Sequence, residues 1–264
     1  MDINLDVKRF YEEQYDESTR ETRTPLEFIR SKQIISRYLN KSSMNIADIA
    51  RGAGVYSFWL AGLGHKLHLL DLAQNHIDLA KEHSRKTNTP LASYTCADAR
   101  YLPYKDESMD IVLLMGALYH LQKRDDRLMC LLEAKRVLKT NGILICTVIS
   151  KYSPLVGYYR HGNIDDINLK LIDETIKTGK YNNLPYFPSA FFHSPDEIIS
   201  EISDACFSNI NLIAVEGFAN AFIFESIADD DYKLKQMLRH IEMTETNIEL
   251  MGMSKNIIAI GTKY

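Results

Sequence analysis

Two glycines and one acidic residue are spaced as in a site for a nucleotide-containing ligand. Gly52 and Gly54 follow the short apolar stretch 46–49, and Asp71 ends the next apolar stretch, about 20 residues further on. Glycines let the chain turn sharply, and a helix behind the turn offers unpaired N–H groups to an anion. A carboxylate at the place of Asp71 accepts hydrogen bonds from ribose hydroxyls. The spacing favours a nucleoside-containing cofactor over a plain strand–helix–strand unit.

The stretches around these residues alternate between strand and helix patterns, which is typical of a parallel sheet covered by helices. Apolar runs predict strands at 46–49, 66–70, 91–96, 110–116, 143–149, 210–215 and 257–261. Apolar spacing and end signals predict helices at 24–39, 55–63, 73–85, 124–138, 164–177, 195–206 and 230–250. Capping boxes that begin at Thr24 and Ser194 support two of the helix starts. We therefore expect a doubly wound α/β fold.

The glycine turn resembles the first motif of the class I S-adenosylmethionine-dependent methyltransferases, which is an acid followed by Gly-x-Gly-x-Gly. Here it reads Asp48, Ala50, Gly52 and Gly54, so that alanine replaces the first glycine. The resemblance is closest over 45–150 and extends loosely over the chain. It implies S-adenosyl-L-methionine as the cofactor and a seven-stranded, mostly parallel sheet in the order 3-2-1-4-5-7-6 with the last strand antiparallel. The methyl group of Ala50 should weaken cofactor binding without abolishing it.

The same resemblance assigns roles to residues at the ends of the following strands. Asp71, with Leu72, is expected to bind the ribose. Asp98 is expected to accept from the adenine amino group while the N–H of Ala99 meets a ring nitrogen, although Asp98 is also placed to cap the next turn. Met115 and Gly116 end the fourth predicted strand, at the edge where open α/β sheets bind ligands.

Two residues before the sheet are further candidates for cofactor binding. The leading helix resembles that of a subgroup of the family in which an arginine and an upstream tyrosine close over the carboxylate of the cofactor. Arg30 and Tyr15 are the matching residues. An exposed helix arginine and a packing tyrosine are the alternative interpretations.

Methyl transfer makes few demands on protein side chains, because the cofactor supplies the electrophile. An acceptor must be aligned with the methyl group, and a base near its pKa can assist. His120 and His193 titrate in a suitable range, and Tyr119 and Tyr159 could orient an acceptor. Each histidine is equally consistent with a hydrogen-bonded structural role.

Three segments are expected from the pattern. Residues 1–44 form an N-terminal helical segment that closes over the cofactor, and residues 45–150 with 194–264 form the core. The intervening segment 151–193 is rich in aromatic residues and follows the fifth strand, at the ligand edge of the sheet. It is predicted to be a small cap or lid, and the alternative is a packed excursion that merely covers the sheet.

Composition narrows the class of protein. The chain has 264 residues, of which 45% are hydrophobic and 25% charged, and the net charge of -4 disfavours a nucleic-acid surface.

The cysteines are Cys96, Cys130, Cys146 and Cys206; without a CxxC pair they indicate buried free thiols in a reducing compartment rather than a metal site. No signal peptide or apolar span is recognisable, so we expect a cytoplasmic protein without membrane association.

The hypothesis that these observations favour is a methyltransferase for a small-molecule acceptor. A nicotinamide-dependent oxidoreductase is an alternative, although Ser57 stands where its fingerprint has a third glycine. A cofactor-binding protein without catalysis is another, because of Ala50. A nucleic-acid methyltransferase is disfavoured, since residues 115–118 read Met-Gly-Ala-Leu in place of the Asp/Asn-Pro-Pro-aromatic motif. The oligomeric state is not predicted.

Overall fold

The computed structural model describes residues 3–13, 24–183 and 187–264. The elements of the first half are α1 (Ile3–Glu13), α2 (Pro25–Ser36), β1 (Asn45–Ile49), α3 (Val55–Gly62), β2 (Lys66–Asp71), α4 (Gln74–Thr87), β3 (Ser93–Cys96), β4 (Met109–Leu114) and α5 (Arg124–Val137). Those of the second half are β5 (Leu138–Ile149), α6 (Ser153–His161), α7 (Asp166–Thr178), β6 (Lys180–Asn183), β7 (Phe187–Phe191), α8 (Pro195–Asp204), β8 (Ser208–Ala214), α9 (Glu225–Ala228), α10 (Asp231–Thr244), α11 (Ile248–Met251) and β9 (Asn256–Thr262). Short 3-10 helices span Leu118–His120 and Gly217–Ala221. No helix of the described residues is long and apolar enough to cross a membrane.

Seven strands form one sheet in the order β3-β2-β1-β4-β5-β9-β8. Strands β1 to β5 pair in parallel, whereas β9 runs antiparallel to both β5 and β8. Because β8 and β9 are the predicted sixth and seventh strands, the predicted order and the antiparallel last strand are confirmed. Strand β4 is apolar because both of its faces are covered: Val112 and Leu114 belong to one core cluster, and Ile111 and Leu113 to the other.

Two predicted boundaries are wrong, and tertiary contacts explain both. Strand β5 begins at Leu138 and runs through the predicted turn 140–142, because the N–H of Asn141 donates to the carbonyl of Lys263 beyond β9. Helix α10 ends at Thr244, where the carbonyl of the following Glu245 accepts from the N–H of Ala214 in β8 at 2.7 Å. Neither contact can be recognised from the propensities of the residues that are near in sequence.

The two predicted capping boxes have different outcomes. The box that begins at Ser194 is confirmed, since the Ser194 hydroxyl accepts from the N–H of Glu197 and the Glu197 carboxylate accepts from the N–H of Ser194. In the predicted box that begins at Thr24, the Glu27 carboxylate is ion-paired with Arg51 beside the glycine turn. That buried pair ties α2 to the segment after β1.

Residues 151–193 fold into α6, α7 and the antiparallel hairpin β6–β7. Helix α7 confirms the helix predicted at 164–177 to within two residues. The hairpin was not predicted, since Pro188 and the asparagines of β6 oppose strand formation. Its aromatic side chains pack against the ends of β4 and β5, in a cluster that comprises Tyr119, Ile149, Tyr181, Phe187, Ala190 and Phe192.

The cysteines are only partly as predicted. Cys130 and Cys146 are buried, and burial raises the pKa of both thiols. Cys96 and Cys206 are exposed, so the prediction of buried thiols is wrong for these two. Cys96 ends β3, which is an edge strand and is covered less completely than the central strands.

The close approach of β4 to the turn after β1 requires a glycine at position 116. A Cβ atom built on Gly116 would lie 1.8 Å from the carbonyl oxygen of Ala50. No side chain can be placed at that distance, so the two strand ends can meet only because Gly116 has none.

Gly116→Ala should push the two strand ends apart and lower the free energy of unfolding by about 1–3 kcal/mol, as overpacking does elsewhere. Urea denaturation measures the change. Gly62→Ala is the matched control, because nothing lies within 4 Å of its missing Cβ and alanine favours a helix. Equal stability of the two variants would contradict the close approach.

Candidate active site

A cleft with an empty volume of about 660 Å³ opens at the carboxyl ends of β1, β2 and β4. The predicted site residues that line it are Ala50, Gly52, Asp71, Leu72, Asp98, Ala99, Gly116, Tyr119 and His120. Helix α1 adds Val7, Lys8 and Tyr11, which the sequence analysis did not single out. The cleft therefore brings together residues from four strand ends and from the N-terminal helix.

The turn after β1 is built from residues in the left-handed region of backbone conformation. The φ angles are 58° at Ala50, 63° at Gly52 and 84° at Gly54. Glycine adopts these angles freely, whereas alanine does so at a cost of roughly 1–2 kcal/mol. The departure at Ala50 thus strains the backbone, which the N–H of Ala50 stabilises by donating to the carbonyl of Leu70 at 2.8 Å. Its effect on cofactor affinity stays a prediction.

Asp71 lies at the base of the cleft and organises the loops around it. Its Oδ2 accepts from the N–H of Gly52 at 2.9 Å, and its Oδ1 accepts from the N–H of Ala73 at 3.0 Å. The Oδ1 atom also lies 3.1 Å from Nδ1 of His76. These contacts orient the carboxylate, and Oδ2 retains acceptor capacity for a ligand.

Three predicted cofactor residues lie behind the cleft rather than in it. Asp48 is completely buried, its Oδ2 accepts from the Ser57 hydroxyl at 2.7 Å, and burial raises its pKa to about 6. Gly54 faces the side chain of Leu69, which a Cβ would meet at 3.0 Å. The carbonyl of Met115 accepts from the Arg51 guanidinium. These three residues support the turn and do not line the cleft, so their predicted contact with a cofactor stays a prediction.

Asp98 lines the cleft while an arginine holds its carboxylate. The N–H of Arg100 donates to its Oδ1 at 2.9 Å, and the guanidinium donates to Oδ2 at 2.7 Å. The same guanidinium donates to Asp126 at 2.7 Å, and the two carboxylates raise the pKa of Arg100. This arrangement combines the capping role that the sequence allowed with a position at the cleft wall.

The opposite end of the cleft is aromatic. The hydroxyl of Tyr11 lies 2.9 Å from Nε2 of His120, and the two rings are 5.4 Å apart edge to face. Tyr119 packs against His120 from the other side, at 4.6 Å between ring centroids. Phe187 of the hairpin stacks on His120 at 5.5 Å and 26°. His120 is therefore held in orientation by three rings, from α1, from its own 3-10 helix and from the insertion.

Comparison with known proteins places this fold and cleft in a family. Residues 47–146 match the sequence profile of a family described as a methyltransferase domain. An uncharacterised protein of Methanocaldococcus jannaschii is 30% identical over 64% of this chain and 71% of its own length. The chain belongs to the class I S-adenosylmethionine-dependent methyltransferase family.

Other relatives of this family member share only part of their length with it. A ubiquinone biosynthesis O-methyltransferase of Cereibacter sphaeroides is 28% identical over 44% of this chain and 46% of its own length. The chain thus spans about half the length of that relative. A solved S-adenosylmethionine-dependent methyltransferase of Methanosarcina mazei superposes with a TM-score of 0.59 over 87% of this chain and 96% of its own, at 17% identity. That likeness confirms the fold.

Arg30, a cofactor residue that the family resemblance suggested, does not line the cleft of this methyltransferase-family chain. Arg30 is buried in an ion pair with Glu245, and its Nε donates to the carbonyl of Val215 at 3.3 Å. It therefore joins α2 to the C-terminal region and is not an exposed helix arginine, while its predicted contact with the cofactor stays a prediction. Tyr15 lies outside the described residues.

Two of the four catalytic candidates also lie away from the cleft. His193 is completely buried, with Nε2 at 3.3 Å from Glu201, and burial lowers its pKa. Glu201 in turn accepts from Arg127 at 2.6 Å, so His193 belongs to a buried network that ties the insertion to α5 and α8. Tyr159 is 59% exposed on the outer face of α6. Neither residue lines the cleft, and the predicted contact of each with an acceptor stays a prediction.

The cleft suits the cofactor of the family in two respects. Gly52 and Gly116 present bare backbone to it, where a side chain at Gly116 would not fit. The Asp71 carboxylate lies at its base with acceptor capacity remaining, as binding of a ribose requires. The residues at the carboxyl ends of β1, β2 and β4 are thus compatible with S-adenosylmethionine.

The structural role of Arg30 can be tested through its partner. Glu245→Ala leaves Arg30 buried without a counter-charge and should lower the free energy of unfolding by about 3 kcal/mol or more. Glu242→Ala is the control, since Glu242 is largely exposed and, within the described part of the chain, pairs only with Arg37; it should cost less than about 1 kcal/mol. Urea denaturation measures both. A loss of affinity for S-adenosylhomocysteine with unchanged stability in the Glu245 variant would return Arg30 to the cofactor site.

Proposed function

We propose that this protein transfers the methyl group of S-adenosylmethionine to a small-molecule acceptor. The observation that carries the proposal is the two-ended cleft. One end combines bare backbone with the Asp71 carboxylate, and the other combines the Tyr11 hydroxyl with the His120 ring. An in-line transfer needs the cofactor and the acceptor to be held in alignment, and one cleft with a polar end and an aromatic end can hold both.

The residues that would hold the cofactor follow from their positions. Asp71 would accept from the ribose hydroxyls, with Leu72 beside it. Asp98 and Ala99 at the cleft wall would face the adenine, and Ala50, Gly52 and Gly116 would lie along the amino-acid end. When bound, the sulfonium group supplies the methyl electrophile.

The acceptor end would be formed by α1, the 3-10 helix after β4 and the insertion. Tyr119, His120 and Phe187 pack together there, and a site that they shield from water would favour transfer over competing reactions. The Tyr11 hydroxyl fixes the orientation of His120, so that its ring can accept a proton from, or position, an oxygen or nitrogen acceptor. Residues 1–13 and 151–193 would thus serve as the walls of the acceptor site.

The relatives and the charge of the chain support a small acceptor. The name of the ubiquinone biosynthesis O-methyltransferases refers to a small molecule. A net charge of -4 is unfavourable for binding nucleic-acid phosphates.

Asp71→Asn tests the cofactor end. The substitution removes the charge that strengthens hydrogen bonds from the ribose, each worth roughly 1.5–3 kcal/mol, so affinity for S-adenosylhomocysteine should fall about tenfold or more. Calorimetry measures the affinity. Stability should fall as well, because Asp71 also accepts from Gly52 and Ala73. Asp78→Asn, at an exposed position on α4, should change neither quantity, and unchanged affinity in the Asp71 variant would refute the assignment.

Activity can be sought without knowing the acceptor. Incubating the protein with methyl-labelled S-adenosylmethionine and a metabolite extract should transfer label to a small molecule that chromatography resolves. Tyr11→Phe should lower the initial rate of transfer by about tenfold, because it removes the hydrogen bond that orients His120. Its affinity for S-adenosylhomocysteine should stay within about twofold. Absence of labelled product from extracts of several sources would contradict the proposal.

A further inference from the structure

A second cavity, with an empty volume of about 920 Å³, lies beside the cleft within the insertion. It is enclosed by α6, by the hairpin β6–β7 and by residues where β5 ends and β9 begins. The side chains that matter are Tyr158, Arg160, Tyr181, Asn183, Phe187 and Lys255. The cavity thus opens at the same sheet edge as the cleft, on the side of the acceptor end.

Two positive charges face this cavity without a carboxylate partner. Among the described residues, no carboxylate lies within ion-pair distance of Lys255 or Arg160. The Arg160 guanidinium donates to the carbonyl of Asn220 at 2.5 Å and to Nε2 of His161 at 3.2 Å, and neither of these acceptors is a carboxylate. The two side chains therefore bring uncompensated positive charge to the cavity wall.

The nearest carboxylate does not neutralise that charge locally. Glu216 is buried, and its Oε2 already accepts from Ser254 at 2.9 Å and from the N–H of Asn256 at 2.8 Å. Its Oε1 accepts from the Asn256 amide at 2.7 Å. These bonds fix the start of β9; Glu216 attracts Lys255 at longer range but forms no ion pair with its ammonium, which can therefore still bind an anion.

A neutral hydrogen-bond donor lies across the cavity. The Tyr158 and Tyr181 hydroxyls are 3.3 Å apart, and the Asn183 amide donates to both at 3.0 Å. Only one of the two hydroxyl hydrogens can serve the contact between them, so the other is available to an acceptor. Burial raises the pKa of Tyr181, which keeps its hydroxyl a donor at neutral pH.

One aromatic side chain separates the cavity from the acceptor end of the cleft. Phe187 lines the cavity and stacks on His120 of the cleft at 5.5 Å. Tyr119 lies against Phe187 at 6.5 Å in the same layer. A molecule held in the cavity is therefore one ring's thickness from the residues that would meet a methyl acceptor.

We propose, resting on the methyl transfer inferred above, that the acceptor is a small molecule with a carboxylate or phosphate group and that this cavity binds that group. The Lys255 ammonium and the Arg160 guanidinium hold the anion, and the Tyr158–Tyr181 pair donates the neutral hydrogen bond. The body of the acceptor lies against Phe187 and extends towards His120. An uncharged acceptor of the same shape leaves two cations unmatched and binds poorly.

Matched probes test this assignment on the full chain. Phenyl phosphate and phenylacetate carry the two kinds of anion, and benzyl alcohol has a similar body without charge. Calorimetry should show binding of at least one anion, at least tenfold tighter than benzyl alcohol and weakened by added salt. Lys255→Gln should weaken the anion about tenfold, whereas Lys180→Gln should not, because Lys180 is exposed on the same insertion and does not line the cavity.

The outcomes separate this proposal from the proposed function. Saturating S-adenosylhomocysteine should leave anion binding intact, since the two sites are distinct, and the Lys255 variant should keep its affinity for S-adenosylhomocysteine. If neither anion binds, if benzyl alcohol binds as well, or if S-adenosylhomocysteine displaces the anion, the acceptor site is not here, although methyl transfer can still hold. If the anion binds but S-adenosylhomocysteine does not bind to the native protein, the methyltransferase assignment fails, and with it the role of the cavity as an acceptor site.

Discussion

The cleft depends on the buried carboxylate of Asp71. A buried carboxylate must be hydrogen-bonded, and this one finds its donors on two different loops, at the N–H of Gly52 and the N–H of Ala73. The parallel pairing of β1 with β2 places their carboxyl ends side by side, which brings these loops within reach. The glycine turn can then keep its left-handed conformation, and Gly116 of β4 closes against the carbonyl of Ala50. Each of these contacts restricts where the neighbouring loop can lie, and together they set the shape of the cleft.

The insertion adds what the sheet does not provide. The sheet supplies backbone and carboxylates at the strand ends, whereas α1 adds side chains to the cleft and the hairpin β6–β7 packs against Tyr119 and His120 at its aromatic end. Phe187 lines the second cavity and stacks on His120 of the cleft, so its ring separates the two. The buried pairing of Glu201 with Arg127 and His193 anchors the C-terminal end of the insertion to α5 and α8. Such an arrangement lets a family keep one cofactor site while the inserted segment changes the acceptor.

Prediction from the sequence succeeded where a property is local and failed where it depends on a distant partner. The glycine turn, the acid at Asp71 and the strand order follow from short-range patterns, and the fold confirms the order. Arg30 was assigned to the cofactor because its own helix contains no sign of Glu245, which is far along the chain. His193 was assigned to catalysis because nothing near it in sequence shows that it is completely buried. Tyr11 was overlooked as a site residue because its partner, His120, belongs to a different part of the chain.

The sequence by itself determined the class of fold, the family and the identity of the turn and strand-end residues, because apolar periodicity, glycine spacing and an acid after a strand act over short distances. The tertiary structure alone decided which polar side chains face the cleft and which are buried in ion pairs. It also decided that a proline-containing segment forms the hairpin β6–β7, and that Lys255 and Arg160 line the same cavity. The reason is physical: burial and the pairing of charges depend on neighbours in space, and those neighbours come from segments that the chain places far apart in sequence.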